Sequence, residues 1–173
     1  MTPGGGSERA PGPATGQLAD QAVALLTASR RTVAVAESLT GGLVTGVLTS
    51  IAGASVAVRG GVVAYAADLK AALLGVPADL LARQGPVDPD VAAAMATGVR
   101  ALLGASYGLA TTGVAGPGPA DGKPAGTVFI AVTGPAGNSG QALRLPGDRR
   151  EVREETVRSA LSLLVGALRE DGS

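Results

Sequence analysis

Ser38 lies in the stretch AESLTGG, Ala36 to Gly42, between the hydrophobic run TVAVA and the segment LVTGVLTSIA. Its hydroxyl therefore stands where a buried strand should end and a helix begin. Two chemistries suit such an elbow. Ser38 or Thr40 can cap the helix, because a side-chain oxygen there accepts a bond from an otherwise orphaned N–H. Alternatively, Ser38 is held outward as a nucleophile, and backbone N–H groups near Gly41 and Gly42 receive an oxyanion or a phosphate. The glycines would let a ligand approach the backbone closely. The G-x-S-x-G pattern is absent, so this is not an α/β-hydrolase elbow.

A nucleophilic Ser needs a base, and the composition restricts the choice. The 173 residues include no His and no Cys. That removes the Ser-His-Asp triad, a Cys nucleophile and zinc sites of the His/Cys type. Acid–base chemistry falls to Asp, Glu, Lys or Tyr. Of 14 Lys and Arg residues, two are lysines, Lys70 and Lys123, and the tyrosines are Tyr65 and Tyr107. A desolvated Lys can lose its proton and act as a base; Arg cannot. Lys70 lies in YAADLK, directly after a Val-rich run. It is either a solvated surface lysine or the base of a Ser–Lys pair, the hydroxyl-nucleophile arrangement a His-free chain can build.

Two further stretches could bind anions. TTGVAGPGP, Thr111 to Pro119, is either a flexible loop or a Gly-rich turn at the C-terminal end of a strand, where open α/β sheets bind ligands. It matches neither the Walker motif nor G-x-G-x-x-G. In GDRREVREE, Gly147 to Glu155, Asp148 can cap a helix whose exposed charges pair at i,i+4. Arg149, near that helix start, can grip a phosphate or carboxylate through two bonds.

The elements that must position these groups alternate. Leu18, Ala22, Leu25 and Leu26 mark a first helix, followed by a strand from Thr32 to Ala36 and a helix from Leu43 to Ile51. Val56 to Ala66 reads as a second strand, with Gly60-Gly61 signalling a bulge or a close backbone approach. Two short helical pieces, DLKAALLG and PADLLARQG, come next. Asp88 as cap and Pro89 at the first position start a longer helix with Val91, Met95, Val99 and Leu102 on one face. SYGLATTG is a third strand; TVFIAVTG and QALRLPG, joined by PAGNSG, form an antiparallel hairpin. Asp148 to Glu170 is a final helix with a stripe of Val157, Leu161, Leu164 and Leu168. This order indicates one three-layer α/β/α domain, with a mixed, mostly parallel sheet ending in an antiparallel hairpin.

Residues 1–15 are Gly, Pro and small polar residues, which read as a disordered tail before a domain at 16–171. With 46% hydrophobic residues but one Phe, two Tyr and no Trp, the core must be Ala, Val and Leu. Zero net charge gives no reason to expect nucleic acid or an anionic membrane as partner. No apolar run approaches a bilayer span, the N-terminus has no signal-peptide h-region, and cysteine is absent, so a cytoplasmic protein is expected. The Ala/Val/Leu surfaces offer room for an interface between copies, and a homo-oligomer is expected.

Taken together, AESLTGG, IAGAS with GGVVAYAADLKAALLGV, TTGVAGPG…KPAGTVFIAV and GDRREVR resemble, in this order, the CinA C-terminal domain family, the nicotinamide-nucleotide amidases. The resemblance spans about residues 17 to 169 and looks like the stand-alone form, with no molybdopterin-binding-like domain before it. It implies hydrolysis of the carboxamide of nicotinamide mononucleotide to nicotinate mononucleotide and ammonia, with no metal and no cofactor. By motif position it implies Ser38 as nucleophile, Lys70 as general base and Tyr65 as an assisting group. It further implies that Thr112, with Gly113, and Arg149 contact substrate, while Thr40, Gly41 and Gly42 frame the anion site. The sequence departs from the family pattern where YSN precedes the lysine motif; here the residues are Tyr65-Ala66-Ala67. That departure motivates a second expectation, a nucleotide-binding or interaction module of the same fold with little catalysis, serving a competence or DNA-damage response.

Overall fold

The computed structural model describes residues 13–172. Strand β1 (Val33–Glu37) has no exposed residue, which explains its unbroken apolar reading. β2 (Val58–Val63) and β3 (Tyr107–Gly113) flank it in parallel. β4 (Thr127–Gly134) pairs antiparallel with β3, and β5 (Gly137–Arg144) antiparallel with β4. The order is β2-β1-β3-β4-β5, so all strands but β4 run one way. This is the expected mixed, mostly parallel sheet with a terminal hairpin.

The two faces of the sheet are built from residues of different size. Val33, Val35, Leu109, Ile130 and Val132 pack under α1 (Pro13–Ala28), α2 (Leu43–Thr49) and α6 (Arg149–Glu170). Ala34, Ala36, Ala110 and Ala131 face α3 (Ala67–Leu74) and α5 (Pro89–Leu102), with α4 (Ala78–Gln84) against α5. Small side chains bring backbones together on this second face. A Cβ on Gly108 would lie 1.9 Å from the Ala96 carbonyl oxygen, so α5 rests directly on β3. A Cβ on Gly98 would lie 1.8 Å from the carbonyl oxygen of Leu74, so α3 rests directly on α5. Close packing of this kind supplies the density that large aromatic side chains supply elsewhere.

Several boundaries differ from the sequence expectation, each for a physical reason. β2 is shorter than Val56 to Ala66, because Ala54–Val56 forms a 3-10 turn and the chain leaves the sheet after Val63. The glycine pair does both things expected of it. The register shifts at Arg59, where Gly60 adopts φ 147°, and a Cβ on Gly61 would meet the Thr45 hydroxyl at 2.0 Å. β5 reaches back through Asn138, Ser139 and Gly140, leaving Pro135-Ala136 as the turn. β5 is an exposed edge strand held by backbone pairing, so it carries no alternation to read. Leu102 is exposed at the end of α5, while Val91, Met95 and Val99 are fully buried. Of the expected tail, residues 1–12 lie outside the described residues, and 13–15 belong to α1. Among the described residues, no helix is long and apolar enough to cross a membrane.

Because Leu74 and Lys70 share α3, the Gly98 contact also fixes the depth of Lys70. Gly98→Ala forces backbone against backbone and is expected to cost about 2–3 kcal/mol. Thermal denaturation should show a Tm lower by roughly 5–10 °C.

Candidate active site

The elbow after β1 is built around a carboxylate. Glu37, the last residue of β1, is fully buried and turns back onto the start of α2. Its Oε2 accepts from the N–H groups of Gly42 (3.0 Å) and Val44 (3.1 Å). Its Oε1 accepts from the Thr45 N–H (2.8 Å) and the Thr45 hydroxyl (2.7 Å). An acid outside the helix thus satisfies the orphan donors of the first turn. This corrects the expectation that Ser38 or Thr40 caps α2. The N-cap position itself is Gly42, at φ 102°, with no side chain to offer.

Thr40 is fully buried and shares a 2.8 Å hydrogen bond with the Thr111 hydroxyl. The Gly41 N–H donates to the Ser38 carbonyl at 3.1 Å, and the Gly42 N–H is held by Glu37. The two N–H groups expected to receive an anion are therefore already engaged, and Thr40, Gly41 and Gly42 do not line the cavity. The two glycines serve the turn instead, with φ of 58° and 102°. Within the elbow from Ser38 to Thr45, the N–H groups without an acceptor among the described residues are those of Leu39 and Thr40. Arg153 of α6 sets the direction of the Thr40 N–H, while the Ser38 carbonyl, held by the Gly41 N–H, sets that of Leu39. Arg153 Nε donates to the Leu39 carbonyl at 2.9 Å and Nη2 to the Thr40 carbonyl at 3.2 Å. In a trans peptide C=O and N–H point opposite ways. Drawing the Leu39 carbonyl toward α6 turns the Thr40 N–H away from it.

Ser38 is nearly buried, and its N–H still bonds the Thr111 carbonyl at 3.0 Å, which ties the elbow to β3. Lys70 arrives from α3 with only 1% of its surface exposed. Its Nζ donates to Ser38 Oγ at 3.0 Å and to the Ala64 carbonyl at 2.8 Å. Desolvation lowers the Lys70 pKa from 10.5 to about 8, with the negative charge of Asp121 working against it. Ser38 and Lys70 form the buried end of a cavity of about 360 Å³, a size suited to a small ligand.

The remaining candidates lie along this cavity. The Thr112 hydroxyl donates to the Pro86 carbonyl at 2.7 Å, and Gly113 packs so tightly that a Cβ would sit 2.7 Å from the Thr127 carbonyl. Both residues line the cavity. Tyr65 and Arg149 are exposed at its mouth. Asp148 and Glu151 form a capping box that fixes the first turn of α6, and Arg149 is its first residue. The Arg149 guanidinium donates to the Gly116 carbonyl at 2.9 Å and to the Tyr65 hydroxyl at 3.0 Å. Arg149 thus joins the Gly/Pro loop, the segment after β2 and the last helix into one rim. Ala66 is the N-cap of α3 and makes no capping bond, while Ala67 faces the cavity.

Glu37, Arg153 and Asp121 were not singled out from the sequence. For Glu37 a signal exists: a helix that opens on glycines needs an acceptor from outside its own first turn. For Arg153 there is none, since its partners lie 114 and 113 residues away along the chain.

A buried Ser–Lys pair at a strand-to-helix elbow, inside a three-layer α/β/α domain, defines the class. Residues 15–168 match the CinA C-terminal domain, and the chain belongs to that family. It is similar to a CinA-like protein of Frankia casuarinae, 53% identical over 153 residues that cover 88% of this chain and 35% of the relative. A CinA-like protein of Anaeromyxobacter dehalogenans is 49% identical, covering 88% of this chain and 38% of the relative. The chain thus spans about a third of the length of these curated relatives. Among solved structures, the competence/damage-inducible protein CihA of Agrobacterium tumefaciens superposes with a TM-score of 0.86 at 36% identity, covering 98% of this chain and 99% of that one. A CinA superfamily protein of Klebsiella pneumoniae gives 0.86 at 33% identity, covering 90% and 98%.

Two stability outcomes follow from the elbow and from α3. Glu37→Ala strands buried N–H donors and should cost about 3 kcal/mol or more in urea unfolding. Ala66→Ser supplies a missing cap and should add about 1 kcal/mol.

Proposed function

We propose that this domain hydrolyses the carboxamide of nicotinamide mononucleotide, yielding nicotinate mononucleotide and ammonia. The observation that carries the reading is the 3.0 Å contact between Lys70 Nζ and Ser38 Oγ in a buried pocket. Neutral Lys70 takes the hydroxyl proton as Ser38 Oγ attacks the carboxamide carbon. In the neutral amine the Ala64 carbonyl still holds one N–H, and the lone pair can turn to accept the proton of Ser38 Oγ. The N–H of Leu39, a residue that lines the cavity beside Ser38, receives the developing oxyanion, a role suited to a preorganised donor. Lys70 then returns its proton to the departing nitrogen, ammonia leaves, and an ester to Ser38 remains. Water attacks that ester while Lys70 again accepts a proton; Lys70 returns it to Ser38 Oγ as the ester bond breaks, and nicotinate mononucleotide leaves. Tyr65 and Arg149 meet the substrate at the mouth, Thr112 and Gly113 along the wall. The reaction calls for no metal and no cofactor.

The alanines at 66 and 67 favour a second reading, a nucleotide-binding module with little turnover. Ala67 leaves the cavity wall without the polar side chain that the family pattern places there. Ammonia release from the mononucleotide separates the two. The amidase reading expects turnover by the wild type. Ser38→Ala and Lys70→Ala should each lower kcat/KM by at least about 10³-fold. Binding without turnover supports the module, and activity surviving both substitutions excludes the Ser–Lys mechanism.

The pH profile has a defined sign. Below its pKa of about 8, Lys70 is an ammonium and cannot accept a proton. Log kcat/KM should rise with unit slope as pH climbs toward 8 and level off above it. At pH 7 roughly a tenth of the enzyme would hold the neutral amine.

A further inference from the structure

We propose that Asp121 is a specificity-determining carboxylate, selecting a carboxamide carried on a cationic aromatic ring over one on a neutral ring. This rests on the amidase reading above for the identity of the ring. The pyridine nitrogen of the mononucleotide bears the ribose, so the ring is a permanent cation with its carboxamide attached.

Asp121 is the carboxylate among the residues that line the cavity; the other charged ones are Lys70 and Arg149. Its placement is fixed by the backbone. Ala120 and Lys123 form an isolated antiparallel bridge, with N–H to carbonyl bonds of 3.0 and 2.9 Å in the two directions. The two residues between them, Asp121 and Gly122, have φ of 51° and 70°. Both central residues at positive φ make the tight turn that favours Asn-Gly and Asp-Gly. Turn chemistry alone would accept Asn at 121 equally well, so it does not account for a charge there. The charge has an effect on the site, since Asp121 acts electrostatically on Lys70.

A bare carboxylate in the cavity where an oxyanion forms is unfavourable for hydrolysis of a neutral amide. It becomes favourable when the substrate brings its own positive charge. The cationic ring pairs with Asp121 and offsets that repulsion. The same positive charge also disfavours the ammonium form of Lys70, so the substrate promotes the proton-accepting state of its own base. Tyr65, at the mouth of the cavity, offers a ring face that suits a cation.

The test compares two probes that differ in ring charge. One is nicotinamide mononucleotide; the other is its 1,4-dihydro form, with the same phosphate, ribose and carboxamide but a neutral ring. Affinities are measured by calorimetry on Ser38→Ala, which blocks turnover, with Asp121 or with Asp121→Asn. Asn keeps the turn, and unchanged Tm verifies folding. The expected result is tighter binding of the cationic ring, with the preference shrinking about 5–10-fold in the Asn variant. Taking the ratio between probes cancels any general change at Lys70. An equal preference with Asp and with Asn overturns the proposal, and so does binding of neither probe. Wild-type ammonia release reports separately on the amidase reading. No release combined with an Asp121-dependent preference overturns that reading and leaves the charge selection standing. Release combined with an Asp121-independent preference does the reverse.

Discussion

Four hydrogen bonds to one carboxylate hold the elbow on which the site is built. Glu37 ends a fully buried strand, and burial of a charge is tolerated only when donors surround it. Gly42, Val44 and Thr45 supply those donors, because the start of a helix has N–H groups with no partner. Each side solves the other's problem. The consequence for chemistry is positional. With Glu37 turned back over α2, the next residue, Ser38, is left beside the cavity, and Gly41 and Gly42 complete a left-handed turn. Arg153 then fixes the Leu39 and Thr40 peptides from the opposite side.

The second partner, Lys70, depends on a different constraint. A lysine this buried requires a helix pressed close to the sheet. The alanine face of the sheet and the glycines at 98 and 108 permit that approach. Nearness to the sheet removes water from Nζ, and desolvation is what lowers the Lys70 pKa toward 8. The scarcity of aromatic residues and the lowered pKa of the lysine thus go together in the tight α5 and α3 layer. The outer cavity is organised differently. There Arg149 and the Asp121 turn are exposed, charged and tied to loops, which suits recognition of a polar ligand.

Much of this was legible along the chain. The order of elements followed from apolar periodicity, and the caps at Asp88 and Asp148 sit where the residue types put them. Absence of His and Cys narrowed the base for Ser38 to Asp, Glu, Lys or Tyr, the scarcity of lysine pointed to Lys70, and the order of four motifs gave the family. The misreadings cluster where a side chain answers to a distant residue. Thr40 looked like a cap but bonds Thr111. Gly41 and Gly42 looked like an anion frame, but their N–H groups are spent within the turn. Leu102 continued a helical stripe yet lies past the layer it would pack against.

The sequence by itself determined what is local: periodicity, turn chemistry, caps and the list of groups able to move a proton. These depend on neighbours within a few residues, whose geometry the backbone dictates. Tertiary structure alone decided which N–H groups stay free, how deep Lys70 sits and which charge faces it. Each of those is set by contacts between segments far apart in the chain. Arg153 with Leu39, Glu37 with the start of α2, and Gly98 with Leu74 become neighbours only when the layers close. Hydrogen-bond occupancy and desolvation are properties of that closed packing, which no single stretch of residues encodes.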